Sequence, residues 1–367
     1  MDVKAAIVDQ VGEPFRVATV EVPPPGPGEV LVKIAGAGIC HTDVAVKEGH
    51  LPFPLPGILG HEGSGIVVAV GEGVTEVRDG DRVAISFTSC GTCTRCSNGD
   101  VAYCHRFMEL NFGGVAPQGS SSITEHGKDL GSRFFGQSSL ASHALAHERN
   151  VVKLPDDAPL ELVGPLGCGV QTGAGAVFNS LDVRADSSIL VTGGGSVGLS
   201  AVMAAAVREA RHIIVVEPSA TRRETALELG ATAVIDPAEG PFSEEVRSIV
   251  PEGVDYVVDT TALVPVLEEI FASLAIRGVV GLIGVPSDPE AALHVGLIQA
   301  QLLGFTIRGI VEGDADPKTF IPYLLDLHRE GRFPFDKLIT TMPFDQVNEA
   351  VEAQLSGKAI KVVLVND

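Results

Sequence analysis

Four of the chain's six cysteines crowd into one short stretch, as Cys90-x-x-Cys93-x-x-Cys96 followed by Cys104. Four soft thiolates on one loop suit a closed, tetrahedral structural zinc site. The surrounding segment, residues 89–105, is rich in turn residues and poor in apolar ones, so a metal staple is what would hold its shape. The other two cysteines stand far apart, Cys40 in Gly38-Ile39-Cys40-His41-Thr42-Asp43 and Cys168 in Gly167-Cys168-Gly169. Each alone reads equally well as a small buried hydrophobe, and His61, in Gly60-His61-Glu62, as an ordinary histidine. Together, two thiolates and an imidazole would make a catalytic zinc set with one position open to a substrate. Spacing alone does not decide between these readings.

A second chemical signal is Gly193-Gly194-Gly195-Ser196-Val197-Gly198, a G-x-G-x-x-G run. Such glycines permit a tight turn, close approach of a pyrophosphate and close helix packing. The free N–H groups of the following helix would face the phosphates. Glu217, nineteen residues beyond Gly198, could hold the adenosine ribose hydroxyls and would repel the extra phosphate of NADP. Arg222 and Arg223 could attract that phosphate or flank the adenosine, and on balance the pattern points to NAD.

These groups need elements to position them. Residues 1 to about 160 read as short strands between turn signals, for example 30–34, 65–70 and 82–85, which makes a mostly β, barrel-like domain. Strands then alternate with helices: strands at 188–192, 212–217, 231–236, 254–259 and 278–285, and helices at 198–209, 221–229 and 264–275. That alternation predicts a parallel, doubly wound α/β sheet. A later helix is expected at 317–330, and the terminal strand 360–365 could return to the first domain.

Bulk properties narrow the function. The chain's 367 residues suggest two domains. A net charge of -21 repels phosphate backbones and anionic lipids, which argues against nucleic-acid or membrane partners. The N-terminus does not read as a signal peptide, and no run is apolar enough to span a bilayer. A cytoplasmic location is therefore expected, and cysteines there bind metal more often than they pair.

On these motifs the chain resembles the zinc-containing alcohol dehydrogenases of the medium-chain dehydrogenase/reductase superfamily. The most specific match is Gly60-His61-Glu62-x-x-Gly65-x5-Gly71-x-x-Val74, and the others follow in the family's order. The resemblance implies a GroES-like catalytic domain over 1–163 and 313–367, with the zinc lobe at 89–105, and a Rossmann NAD-binding domain over 164–312, the active site lying in the cleft between them. It also implies two zinc ions per chain, one catalytic, on Cys40, His61 and Cys168, and one structural. Glu62 would lie beside the catalytic metal and coordinate it transiently. Asp43 would orient His61, and Thr42 would hydrogen-bond the substrate hydroxyl and take its proton. His41 would contact the cofactor pyrophosphate, Thr172 and Val285 would border the nicotinamide, and Lys361 would reach the phosphates. For Asp43, Val285 and Lys361, plain turn, core and surface roles stay open.

The implied reaction is reversible oxidation of an alcohol to an aldehyde with hydride transfer to NAD. Cys168 and the intact lobe side with the alcohol dehydrogenases rather than the polyol dehydrogenases. Phe134-Phe135-Gly136-Gln137-Ser138-Ser139 and the stretch around Cys168 resemble the bacterial aryl-alcohol (benzyl alcohol) and geraniol dehydrogenase branch. That implies an apolar pocket for an aryl or allylic primary alcohol, with Phe134 its leading wall. One departure is Ala45, where many relatives carry the histidine that ends a proton relay; His41, His50 or direct release to water could replace it. Rival readings are a nicotinoprotein or thiol-adduct (formaldehyde-type) dehydrogenase, and a non-catalytic binding relative. By analogy a homodimer or homotetramer is expected.

Overall fold

The ten-residue strand Glu29–Gly38 organises the N-terminal half. It pairs antiparallel with Gly63–Val70, with His143–His147 and, near its end, with the C-terminal strand Lys361–Val365. Gly65 of the Gly-His-Glu motif sits against the Lys33 carbonyl, where any Cβ would collide. The motif's glycine thus lets two strands approach where a larger residue would force them apart.

The coordinates are a computed structural model that describes residues 1–288 and 290–366. Two units emerge from its contacts, the first formed by Met1–Gly169, Asp316–Leu325 and Ile339–Asp367, the second by Val170–Ala315 and Asp326–Leu338. The first contains a seven-stranded sheet built on Glu29–Gly38 and a five-stranded sheet built on Asp2–Val8 and Arg16–Glu21. Aliphatic side chains from the first of these sheets pack with Phe87, Phe112, Phe134 and Phe135 into its main core. The first unit runs on to Gly169 because the turn Gly164–Gly167 packs tightly in it: Gly167 lies against the Ile85 carbonyl and Gly164 against that of Glu62.

The second unit is a six-stranded parallel sheet. In chain order its strands are Ser188–Thr192, His212–Val216, Ala233–Ile235, Val254–Asp259, Leu274–Leu282 and Thr306–Gly309, and they lie in the order 3-2-1-4-5-6. That is the doubly wound order of dinucleotide-binding folds, whose ligands sit beyond the carboxyl ends of the strands where the order reverses. The helix Ser196–Val207 follows the first strand and is buried through most of its length, as its Ala-rich sequence requires. One expected element is shifted. The strand placed at 278–285 runs over Leu274–Leu282, since the preceding helix stops at Ser273 and leads directly into it. Among the described residues no helix is long and apolar enough to cross a membrane.

Candidate active site

Cys40 ends the strand region and caps the short helix His41–Lys47. The third residue of that helix, Asp43, turns back and accepts a hydrogen bond from the Cys40 N–H through Oδ2 (2.9 Å). Its other oxygen, Oδ1, accepts from the Gly60 N–H (2.8 Å) and lies 3.1 Å from His61 Nδ1. A carboxylate has no hydrogen to give, so Nδ1 carries the proton and Nε2 is left with its lone pair. His61 is fully buried, and its Nε2 has no hydrogen-bond partner. A buried polar atom without a partner is costly and calls for an explanation.

The explanation lies beside it. One ligand atom each from Cys40, His61 and Cys168 fall within 4.8 Å of one another. The donor set, two sulfurs and one imidazole nitrogen, fits zinc with a position left open. The local electrostatics agree. A hydrogen bond from the Cys168 thiol, with help from His61 and Lys361, holds the Cys40 thiol well below its ordinary range against the effect of burial. Burial opposes a charged His61, but Asp43 and the Cys40 sulfur outweigh it and raise its pKa well above the usual value. The site thus favours positive charge at Nε2, which a bound cation supplies as well as a second proton does.

Glu62, expected beside the metal, follows His61 in the chain but is not one of the three residues whose ligand atoms converge. Its Oε1 accepts from Lys361 Nζ (2.9 Å) and from the Gly169 N–H (3.1 Å), while Oε2 is buried without a partner. Burial pushes its carboxyl up to about 7, with Lys361 acting against that rise. Lys361, expected to reach the cofactor phosphates, is instead buried in the first unit, and Nζ also donates to the Ile39 carbonyl (2.8 Å). A lysine out of water needs a carboxylate partner, and burial would lower its pKa, yet Glu62 and then Cys40 hold it above its ordinary value. Thr42 is half-buried and accepts a hydrogen bond from Cys40 Sγ at 3.7 Å. His41 and His50 are exposed, whereas Val44 and Ala45 are buried.

The substrate-wall expectation for Phe134 is corrected. The side chain is fully buried, with edge-on rings on several sides from Phe53, Phe112, Phe135 and His61, so no face is left to line a pocket. Phe135, which sequence reasoning passed over, stacks on the His61 ring at 4.4 Å. Gln137 was also missed: its Nε2 donates to the carbonyls of His61 and Ser86, and its Oε1 accepts from the Gly63 N–H. The backbone that delivers these residues is unusual, since Arg133, Phe135 and Ser138 all have left-handed φ values of 63°, 50° and 56°. No sequence signal announces that conformation in non-glycine residues.

The four-cysteine loop closes as its spacing suggested. The sulfurs of Cys90, Cys93, Cys96 and Cys104 fall within 4.8 Å of one another. Backbone N–H groups of Thr92 and Cys93 point at Cys90 Sγ, and those of Cys90 and Arg106 at Cys104 Sγ. Led by the Thr92 N–H, such bonds lower the Cys90 thiol to about 5, while burial lifts Cys104 to about 11. All six cysteines are free thiols, and the two clusters account for every one.

In the second unit, Gly193 turns with a φ of 95° and Gly198 lies against the Gly193 carbonyl, where no Cβ fits. Glu217 stands just past its strand. Oε2 accepts from the Gly194 N–H (2.5 Å) and Oε1 from the Ser219 N–H (2.9 Å). Gly195 caps the helix, and Ser196 and Val197 are its first two residues. Arg223 is tied to the Glu217 carbonyl and to Asp236, whereas Arg222 has a buried Nε without a partner. Thr172 is buried in the helix Gly169–Gly175. Val285 lies beyond the end of its strand and is 43% exposed, so it is not core.

Comparison with known proteins gives a consistent result. A family model described as "Alcohol dehydrogenase GroES-like domain" matches residues 26–156, and one described as "Zinc-binding dehydrogenase" matches residues 196–328. The chain is 48% identical over 364 residues to a geraniol dehydrogenase of Castellaniella defragrans, covering 99% of this chain and 97% of that protein. Its structure is similar to that of an "Alcohol dehydrogenase zinc-binding domain protein" from Burkholderia ambifaria, with a TM-score of 0.97, 45% identity and coverage of 100% and 99% of the two chains. It is also similar to a benzyl alcohol dehydrogenase from Acinetobacter calcoaceticus, with a TM-score of 0.96 and 40% identity over 100% of both chains.

Proposed function

This chain belongs to the zinc-binding alcohol dehydrogenase family, and we propose that it oxidises aryl or allylic primary alcohols to aldehydes with NAD as the hydride acceptor. The observation that carries the reading is the convergence of the Cys40, His61 and Cys168 ligand atoms, with Nε2 of His61 buried and without a well-formed hydrogen bond. In this reading those three residues hold the catalytic zinc, and Cys90, Cys93, Cys96 and Cys104 hold a second, structural one. When bound, the zinc acts as a Lewis acid that lowers the pKa of the alcohol oxygen.

The chain's own residues do the rest. Asp43 keeps the His61 proton on Nδ1 and so fixes the ring as a ligand. Thr42, two residues from Cys40, accepts the proton of the substrate hydroxyl. Ala45 supplies no base at the end of a relay, and exposed His41 beside Thr42 is positioned in sequence to take the proton onward. Glu62, anchored by Lys361, keeps Oε2 without a hydrogen-bond partner and could coordinate the metal transiently only by moving toward it. Glu217 holds the adenosine ribose and disfavours a further phosphate there, while Gly193 to Gly198 seat the pyrophosphate. Thr172 and Val285 border the nicotinamide.

The substrate class rests on the geraniol and benzyl alcohol dehydrogenases to which the chain is similar over its whole length. NAD reduction measured over benzyl, cinnamyl, geranyl and short aliphatic alcohols tests it: the first three are expected to give the higher kcat/KM, and a preference for ethanol would overturn the assignment.

The enzyme in this reading is a homo-oligomer, dimer or tetramer. The edge strand Thr306–Gly309 is exposed along its length, and the helix Leu297–Leu303 presents Leu297, Ile298 and Leu302 at 87%, 73% and 74% exposure. Bare edges and apolar patches of this kind are normally covered. Light scattering that returns a monomer mass would reject this part. The two thiolate clusters support a reducing, cytoplasmic location.

A further inference from the structure

The first unit contains a cavity of about 450 Å³ beside the four-cysteine loop, made by residues that the reaction does not use. At its base lies Arg133, only 4% exposed. Its Nε donates to Glu29 Oε1 at 3.0 Å, but both terminal nitrogens, Nη1 and Nη2, are buried and have no hydrogen-bond partner. A guanidinium presents its donors as a planar fork that matches a carboxylate. Leaving two of them unsatisfied away from water is costly.

Other charged groups share the cavity with Arg133. Three guanidiniums, Arg106, Arg133 and Arg149, share the lining with two carboxylates, Glu29 and Glu109, and with Cys90. Both acids are already engaged, Glu29 by Arg133 and Glu109 by Arg106. Arg149 donates to the Ser89 carbonyl at 3.2 Å and lies over Gly91 of the cysteine loop. Leu110, Val115 and Pro117 add apolar lining. A volume of this size is in the range that small-molecule sites use.

We propose that this cavity binds a small organic carboxylate, its oxygens on the free fork of Arg133 and its apolar body against Leu110 and Pro117. The site is separate from the residues of the proposed reaction and does not depend on that reading. An occupant would also brace the loop through Arg149, linking anion binding to retention of the structural metal.

Benzoate is the probe, titrated calorimetrically and by thermal unfolding into the zinc-loaded enzyme, with benzamide as its neutral counterpart and inorganic phosphate as an anion without an apolar body. Arg133→Lys keeps a cation for Glu29 but removes the fork, and Leu110→Trp fills the cavity. The expected result is saturable benzoate binding that raises the unfolding temperature, weakened by about tenfold or more in both variants, as expected for loss of a charged hydrogen bond. Benzamide and phosphate are expected to bind much more weakly. Benzoate binding unchanged in both variants would place it elsewhere and overturn the proposal. So would equal binding of benzamide, which removes the role of charge, or of phosphate, which removes the role of the apolar wall.

Discussion

A single carboxylate, that of Asp43, joins His61 and Cys40: Oδ1 lies 3.1 Å from His61 Nδ1, and Oδ2 accepts the Cys40 N–H at 2.9 Å. One buried side chain therefore sets the tautomer of one proposed metal ligand and the backbone position of another. Asp43→Asn is expected to weaken catalytic-zinc affinity by about 10–100-fold, the usual cost of losing such a partner. Competition against a chelator measures it. Zinc retention equal to wild type would show that Asp43 serves only the turn.

In the proposed reaction Thr42 takes the substrate proton. Thr42→Ala is expected to lower kcat by about 10²–10⁴, the range for general acid–base groups. Thr42→Ser, which restores a hydroxyl, should recover most of that loss. An alanine variant with full kcat would take Thr42 out of the proton path.

Glu217 holds the Gly194 N–H and, in this account, the ribose. Glu217→Ala should raise the KM for NAD by about tenfold or more, from loss of a charged hydrogen bond, while kcat changes little. A fall in discrimination against NADP should accompany it. Unchanged KM values for both cofactors would count against the assignment.

Much of this was legible in the sequence, and the limits have physical causes. The cysteine loop could be read because its four ligands are local, so spacing nearly is geometry. Cys40, His61 and Cys168 could not be read alone, because their meeting depends on long-range strand pairing. The parallel sheet followed from alternation, but the strand near 278 was misplaced by four residues at its start (282 and 274 are its observed end and start), since an apolar helix leads into it without a turn signal. The sequence suggests Phe134 as a pocket wall and gives no sign of the role of Phe135. Two adjacent phenylalanines look alike in sequence, and the left-handed residues Arg133 and Phe135 decide which ring meets His61 and how. The sequence suggests Lys361 as a cofactor contact, because a lysine in a terminal strand carries no sign of the buried Glu62 that holds it.

The stack of Phe135 on His61 carries its own expectation. A bulky residue in the left-handed region is strained by about 1–3 kcal/mol. Phe135→Gly is expected to relieve that strain but to loosen the imidazole. The cobalt-substituted enzyme should then show an altered visible spectrum and a lower kcat. An unaltered spectrum would mean that Asp43 alone orients the ring.

Acid stability should report the Glu29–Arg133 pair. Burial opposes ionisation of Glu29, but Arg133 leads the effects that outweigh it and hold the carboxyl below its ordinary value. A depressed pKa favours the folded state above the unfolded-state value of about 4.3 and loses that contribution as pH falls through the folded value. Glu29→Gln should therefore lower Tm at neutral pH and flatten its decline below about pH 5. A decline as steep as wild type would assign acid sensitivity to other carboxylates.

The most direct test of the central claim measures zinc content and alcohol-dependent NADH formation together, in the wild type and in His61→Ala. The account predicts two zinc ions per wild-type chain, one for each cluster, and one in the variant, with turnover lost. A variant that reduces NAD at the wild-type rate, or a wild type active with a single zinc per chain, would contradict it.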